Sequence, residues 1–84
     1  MDAYIGTVLL LAYAPGFNLQ DWSLCDGRLL QITQYQALFS LLGNRFGGDA
    51  RTTFALPKLA PVQSGNQPLN YYIALQGIYP QRAD

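Results

Sequence analysis

Between Trp22 and Pro57 the chain writes three local structures in an order that leaves few folds open. Trp22 and Leu24 alternate with Ser23 and Cys25, Asp26-Gly27 follows, and Arg28-Leu29-Leu30 resumes an apolar segment. Asp-Gly is the dipeptide that a type I′ turn selects, because both central residues take positive φ. The spacing therefore predicts a β-hairpin with its tip at Asp26-Gly27. Thr33 and Gln36 have the spacing of a capping box, which predicts a helix that begins at Thr33. Tyr35, Leu38, Phe39 and Leu42 then share one apolar stripe, and Gly43 suits a left-handed stop after about nine or ten residues. A helix that short is unstable alone, so its stripe must pack on a sheet. Asn44 to Thr53, with Gly47-Gly48-Asp49, has the composition of a surface loop. Phe54, Leu56 and Leu59 close it, while Pro57 and Pro61 keep the chain extended and out of any central ladder.

Two apolar runs bracket this segment. Tyr4 to Ala14 reads as a strand buried on both faces, stopped by Pro15-Gly16; Gly6, Thr7 and Val8 are poor helix formers. Phe17 to Gln20 reads as a loop, and Val62 to Pro68 as a polar turn or short connector. Tyr71 to Tyr79 reads as a second strand, long enough to be central and closed by Pro80. Strands apolar on both faces at opposite ends of the chain are expected side by side. The fold class is α+β: one domain over residues 1–84, with a single helix packed on a short mixed or antiparallel sheet. No internal repeat, low-complexity tract or linker divides it.

Half of the 84 residues are apolar and only 12% are charged, more apolar area than so small a body can hide. Some of it is expected to meet a partner. Five basic residues (Arg28, Arg45, Arg51, Lys58, Arg82) balance five Asp (Asp2, Asp21, Asp26, Asp49, Asp84), with no Glu and no His. An even, scattered balance gives no footprint for nucleic acid. Cys25 is the single cysteine, so an internal disulfide is excluded and a zinc site lacks ligands. Val8 to Ala14 is far shorter than the about 20 residues that span a bilayer. Asp2 stands where a signal peptide would be basic, so ordinary signal-route export is not expected.

No candidate chemistry outweighs a structural reading. Cys25 has no His or Lys near it in sequence to lower its pKa, and reads as a buried small hydrophobe. Trp22, Tyr35 and Phe39 are candidates for a sugar-stacking platform, but hairpin and stripe positions favour the core. Gly47-Gly48-Asp49 with Asn44 lacks the spacing of a P-loop or an EF-hand. A tight turn that lets Arg51 pair with Asp49 fits better. Asp26 reads as a turn residue bonding its own backbone. Trp22, Cys25, Asp26, Gly27, Thr33, Gly43, Phe54 and Pro57 are thus expected to carry structure. No cofactor, metal or catalytic residue is assigned.

The ordered pattern resembles the phage tail collar domain family, including its bacterial members known as microcystin-dependent proteins. The residues that carry the resemblance are Ile5-Gly6-Thr7, Trp22 through Leu30, Tyr35 through Gly43, Phe46-Gly47-Gly48-Asp49 and Arg51 through Pro57. Asn70 through Pro80 is similar to the closing strand of the longer members. Family members usually continue after the Leu-Pro with Asp-Leu-Arg-Gly-Arg and a long middle region, whereas Lys58-Leu59-Ala60-Pro61 and a short connector follow here. The receptor-facing or trimer-forming insertion is therefore absent from this stretch. Histidine-bound metal, found in some tail fibres, is not carried over, since there is no His.

The resemblance implies a non-catalytic subunit of a phage-tail-like or cell-surface fibre, placed extracellularly or on a virion and used for assembly or adhesion. Its expected partner is a larger fibre, adhesin or tail protein, with a homo-oligomer such as a trimer as a further expectation. Asn44, Arg45, Asp49, Arg51 and Thr52 form the candidate contact loop for a partner or a surface glycan. Tyr71, Tyr72 and Tyr79 are candidate interface aromatics, since a flat ring with a polar tip tolerates partial wetting. A lectin-like module that binds cell-surface polysaccharide is the alternative, and an enzyme a distant third.

Overall fold

The computed structural model describes residues 3–12 and 20–80. The expected turn at Pro15-Gly16, the Tyr13-Ala14 end of the first run and most of the Phe17 to Gln20 loop lie outside them. The elements are β1 (Val8–Leu11), β2 (Trp22–Leu24), β3 (Leu29–Gln31), α1 (Gln36–Leu42), β4 (Thr53–Ala55), β5 (Val62–Ser64) and β6 (Gln67–Ala74). One sheet runs β1-β6-β2, with β5 paired to β6; the other is β3-β4, and every ladder is antiparallel. An α+β fold with one helix results.

The two end strands do lie side by side: Val8 faces Ile73 and Leu11 faces Asn70. They differ in burial, however. β6 is central, and its Tyr72, Ile73 and Ala74 are all but sealed from solvent. β1 is not buried on both faces as its composition suggests, because it sits at the sheet's edge, where Val8, Leu9 and Leu10 are each 37–39% exposed. β6 also starts and stops earlier than Tyr71 to Tyr79 predicts. It begins at Gln67 and ends at Ala74, after which the chain bends. Ile5 N–H then reaches Ile78 C=O at 2.8 Å, and Ile78 N–H reaches Ala3 C=O at 2.8 Å, tying the two ends of the described chain together.

The hairpin predicted at Asp26-Gly27 does not form. β2 pairs with β6 (Trp22 opposite Ala74, Leu24 opposite Tyr72), and β3 pairs with β4 (Leu30 opposite Phe54). Gly27 has φ 84, but Asp26 is not at positive φ, so the type I′ turn is missing one of its two requirements. The physical reason lies in the partners. β2 gains a buried central strand and leaves Ser23 and Cys25 inside, while β3 gains β4, whose Phe54 and Ala55 are buried. Asp26-Gly27 is the step between two sheets, with Asp26 bridging to Lys58.

A true two-residue hairpin lies where a polar turn or short connector was expected. Ser64 faces Gln67 across Gly65-Asn66, with Gly65 at φ 61, which fits a turn that wants glycine at its first central position. Pro68 sits opposite Gln63, the non-hydrogen-bonded position next to the turn, so its missing N–H costs no bond with β5.

The helix is shorter than the capping box predicts. Tyr35 is its N-cap, at φ −133, and no side chain caps it. Residues 32–34 form a turn instead, with Tyr35 N–H on Ile32 C=O at 3.1 Å, so Thr33 does not start the helix. The helix stops at Gly43 as expected, but with φ 61 and ψ −149 rather than in the left-handed helical conformation, and Gly43 donates its N–H to Phe39 C=O at 2.7 Å. The stripe faces inward. Leu38 joins Ile5, Cys25, Phe54, Leu56 and Ile73 in the core, and Tyr35, Phe39 and Leu42 pack around it. Phe39 meets Phe54 at a ring distance of 5.4 Å, tilted by 58°, a favourable aromatic geometry. Burying Leu38 contributes roughly 1.5–3 kcal/mol over leaving it exposed.

Candidate functional site

The loop from Asn44 to Thr53 is held by its own side chains. Asp49 Oδ1 accepts the backbone N–H groups of Arg51 (2.8 Å), Thr52 (2.8 Å) and Thr53 (3.0 Å), and Oδ2 accepts the Thr52 hydroxyl (3.0 Å). These donors hold the Asp49 carboxyl well below the usual carboxylate range. They also hold Ala50 at φ 62, a left-handed conformation that a non-glycine residue adopts only when its surroundings compel it. The expected Arg51–Asp49 ion pair is replaced by the Arg51 backbone N–H. Asn44 contributes its C=O to Gly47 N–H at 3.1 Å.

Gly48 presses the loop onto β4. A Cβ there would lie 2.5 Å from Phe54 Cα and 2.7 Å from Thr53 C=O, with φ at +93. Ala55 N–H reaches Gly47 C=O at 3.1 Å. The loop is thus a third run of chain laid along the β3-β4 sheet. Arg45, expected to face a ligand, turns its guanidinium back to Leu42 C=O (3.3 Å) and Leu41 C=O (3.1 Å), satisfying orphan carbonyls at the end of α1.

The three candidate tyrosines do not share a face. Tyr72 is 2% exposed and fills the core, so it is a packing residue rather than an interface aromatic. Tyr71, on the opposite face of β6, is half-buried against the cluster that holds Leu38, Phe54 and Ile73. Tyr79 is exposed, and its hydroxyl meets Ser40 Oγ at 2.5 Å, linking the end of the described chain to α1. Beside it, Ile78 bridges to Tyr4, and both are exposed. Tyr4 escapes notice in the sequence because it opens an apolar run that reads as buried. A second exposed apolar pair brackets Ala55: Leu29, 59% exposed and opposite it in the ladder, and Phe46, one residue before its partner Gly47.

Cys25 is sealed in the core, and burial followed by the neighbouring Asp26 charge pushes its thiol up to about 11. Asp26 accepts Arg28 N–H at 3.1 Å and its guanidinium Nε and Nη2, at 3.0 and 2.9 Å. This pairing holds the Asp26 carboxyl below its ordinary range. Tyr35 and Phe39 pack on the core and Trp22 is half-buried, so the three do not make a stacking platform. Among the described residues, no three His, Cys, Asp or Glu side chains gather as metal ligands. No described helix is long and apolar enough to cross a membrane.

Compared with models of known families, residues 6–61 match the Phage Tail Collar Domain. The chain belongs to that family. Membership gives this collar domain a structural role in a phage tail fibre, associated with the virion and assembled with other tail proteins. Neither a curated protein nor a solved structure gives a significant match. The collar match takes in β1 to β4 and α1 but stops before β5 and β6. The strand on which β1 and β2 both depend therefore lies outside it.

Proposed function

We propose that the chain is a non-catalytic assembly or adhesion subunit of a phage-tail-like fibre, a single collar domain that works through protein–protein contacts with a larger tail or fibre protein. The observation that supports this most is the combination of family membership with bulky apolar side chains left in solvent. Phe46 stands in the fastened loop and Leu29 on the neighbouring β3, while Tyr4, Ile78 and Tyr79 gather where the ends of the described chain meet. Exposed apolar residues gathered in this way mark contact sites more often than idle surface. The rigid loop serves the same reading, since a pre-ordered contact loses little entropy on docking.

The test is capture of the tail proteins encoded beside this chain, on immobilised protein, with Phe46→Asp and Tyr79→Asp variants alongside. Capture weakened at least tenfold by either variant is expected. Equal capture by both variants and the parent, or none by any of them, sinks the reading. A glycan array with Arg51→Ala tests the lectin alternative, for which a sugar signal lost in the variant would be required.

A further inference from the structure

Asp26-Gly27 is the most labile peptide step in the chain on chemical grounds. Of all the Asp and Asn residues only Asp26 is followed by glycine, whose nitrogen, with no Cβ beside it, is the one best able to reach a neighbouring side-chain carboxyl. The reaction closes a succinimide. Gly27 N bonds to Asp26 Cγ, the Cγ–Oδ bond breaks, and that oxygen leaves as water with the amide proton and a proton from solvent. Water then opens the ring. Cleavage at Cγ restores aspartate, whereas cleavage between Asp26 C and Gly27 N leaves isoaspartate, its main chain routed through the side chain and one carbon longer. Nothing is oxidised or reduced. The step joins two anchored ends, since Cys25 N–H donates to Tyr71 C=O at 2.9 Å in one sheet and Leu56 N–H to Arg28 C=O at 2.9 Å in the other. An added carbon there strains both.

We propose that Asp26 is an isoaspartate-forming modification site which the fold restrains, and that Arg28 is the residue that restrains it. The Arg28 backbone N–H and guanidinium Nε bond Asp26 Oδ1 at 3.1 and 3.0 Å, and Nη2 bonds Oδ2 at 2.9 Å. Ring closure removes the carboxylate charge that all three donors hold, so these charge-assisted bonds are given up as Cγ moves onto Gly27 N. An ionised carboxylate is also the poorer electrophile, and the guanidinium favours that form. The bridge between Asp26 and Lys58 holds the main chain of the same step, which resists the rotation that a ring demands. Solvent still reaches the pair, whose Arg28 and Asp26 side chains are 50% and 40% exposed, so water for the second step is at hand. This reading of Asp26 is independent of any role in assembly.

The test is incubation of the full chain for several weeks in warm neutral buffer and, in parallel, in concentrated urea, with isoaspartate at Asp26 counted by peptide mapping. The folded parent is expected to convert about tenfold more slowly than the unfolded one, because the bonds to the carboxylate must break first. Arg28→Ala, checked as folded by circular dichroism, should convert about fivefold faster than the parent in buffer and at the parent's rate in urea. Equality in urea separates restraint by the fold from any influence of Arg28 along the sequence. Arg28→Lys keeps the charge without the planar fork, so its rate in buffer should fall between the two, and it carries the comparison if Arg28→Ala does not fold. A parent that converts as fast folded as in urea, or folded Arg28 variants no faster than the parent, overturns the proposal.

Discussion

Two exposed turns of this chain are held by opposite means. The Asp49 loop is tied by one carboxylate to three backbone N–H groups and a hydroxyl, and lies so close to β4 that a side chain at Gly48 has no room. The Gly65-Asn66 turn is tied only by the ladder between β5 and β6, and a side chain at Gly65 would meet nothing within 4 Å. Both read alike as polar, glycine-containing surface stretches. One is part of the packed body and the other projects from it, so surface exposure alone does not measure how much structure depends on a turn.

Substitutions in both turns test the contrast. The largest effect is expected beneath the first: Phe54→Ala removes a fully buried ring that Phe39 packs against and should cost about 3–5 kcal/mol in urea unfolding. Gly48→Ala comes next, at roughly 2–3 kcal/mol, because it adds strain at positive φ to a collision with backbone. Asp49→Ala should lower the melting temperature by less than Gly48→Ala and by more than any change at Gly65. Gly65→Ala should cost only about 1 kcal/mol, the steric cost of a left-handed alanine. If Gly65→Ala proves as damaging as Gly48→Ala, the projecting hairpin is packed against something and the contrast fails.

Asp49 also gives the first turn a pH dependence that the second lacks. Its carboxyl is held below the unfolded value of about 3.9, so the stability it contributes is complete above that pH. It is lost as pH falls from there through the depressed folded value. Melting temperatures recorded between neutrality and acid should therefore fall below about pH 4 in the parent, and less steeply in Asp49→Ala. Asp26 adds to the parent's slope in the same direction, so the variant's curve should flatten without becoming level.

The legible parts of the fold were those written by apolar periodicity. The stripe Tyr35, Leu38, Phe39, Leu42 found the core, and the apolar runs at either end identified β1 and β6 as neighbours. Turn chemistry was less decisive. Asp26-Gly27 is the stronger hairpin signal on paper, yet β6 and β4, with their buried side chains, offer β2 and β3 better partners than each other. Gly65-Asn66 is a readable signal too, but its polar flanks, Gln63-Ser64 and Gln67-Pro68, hide the strands that it joins. Thr33 and Gln36 had capping-box spacing, but the turn at Ile32 to Tyr35 took the place of a first helical turn. At the candidate site, the loop's position was legible, but the use of its charges was not. Arg45 and Asp49 are committed to local backbone, and such short-range satisfaction depends on where carbonyls and amides point after folding.

The burial of Cys25 has a practical consequence. A sole thiol that is hidden and reluctant to ionise is invisible to maleimides or aromatic disulfides while the native state lasts. Its labelling rate is therefore a clock for opening events. Mixed with a thiol reagent, this chain reports its own unfolding without an engineered probe, in free solution or inside an assembled fibre.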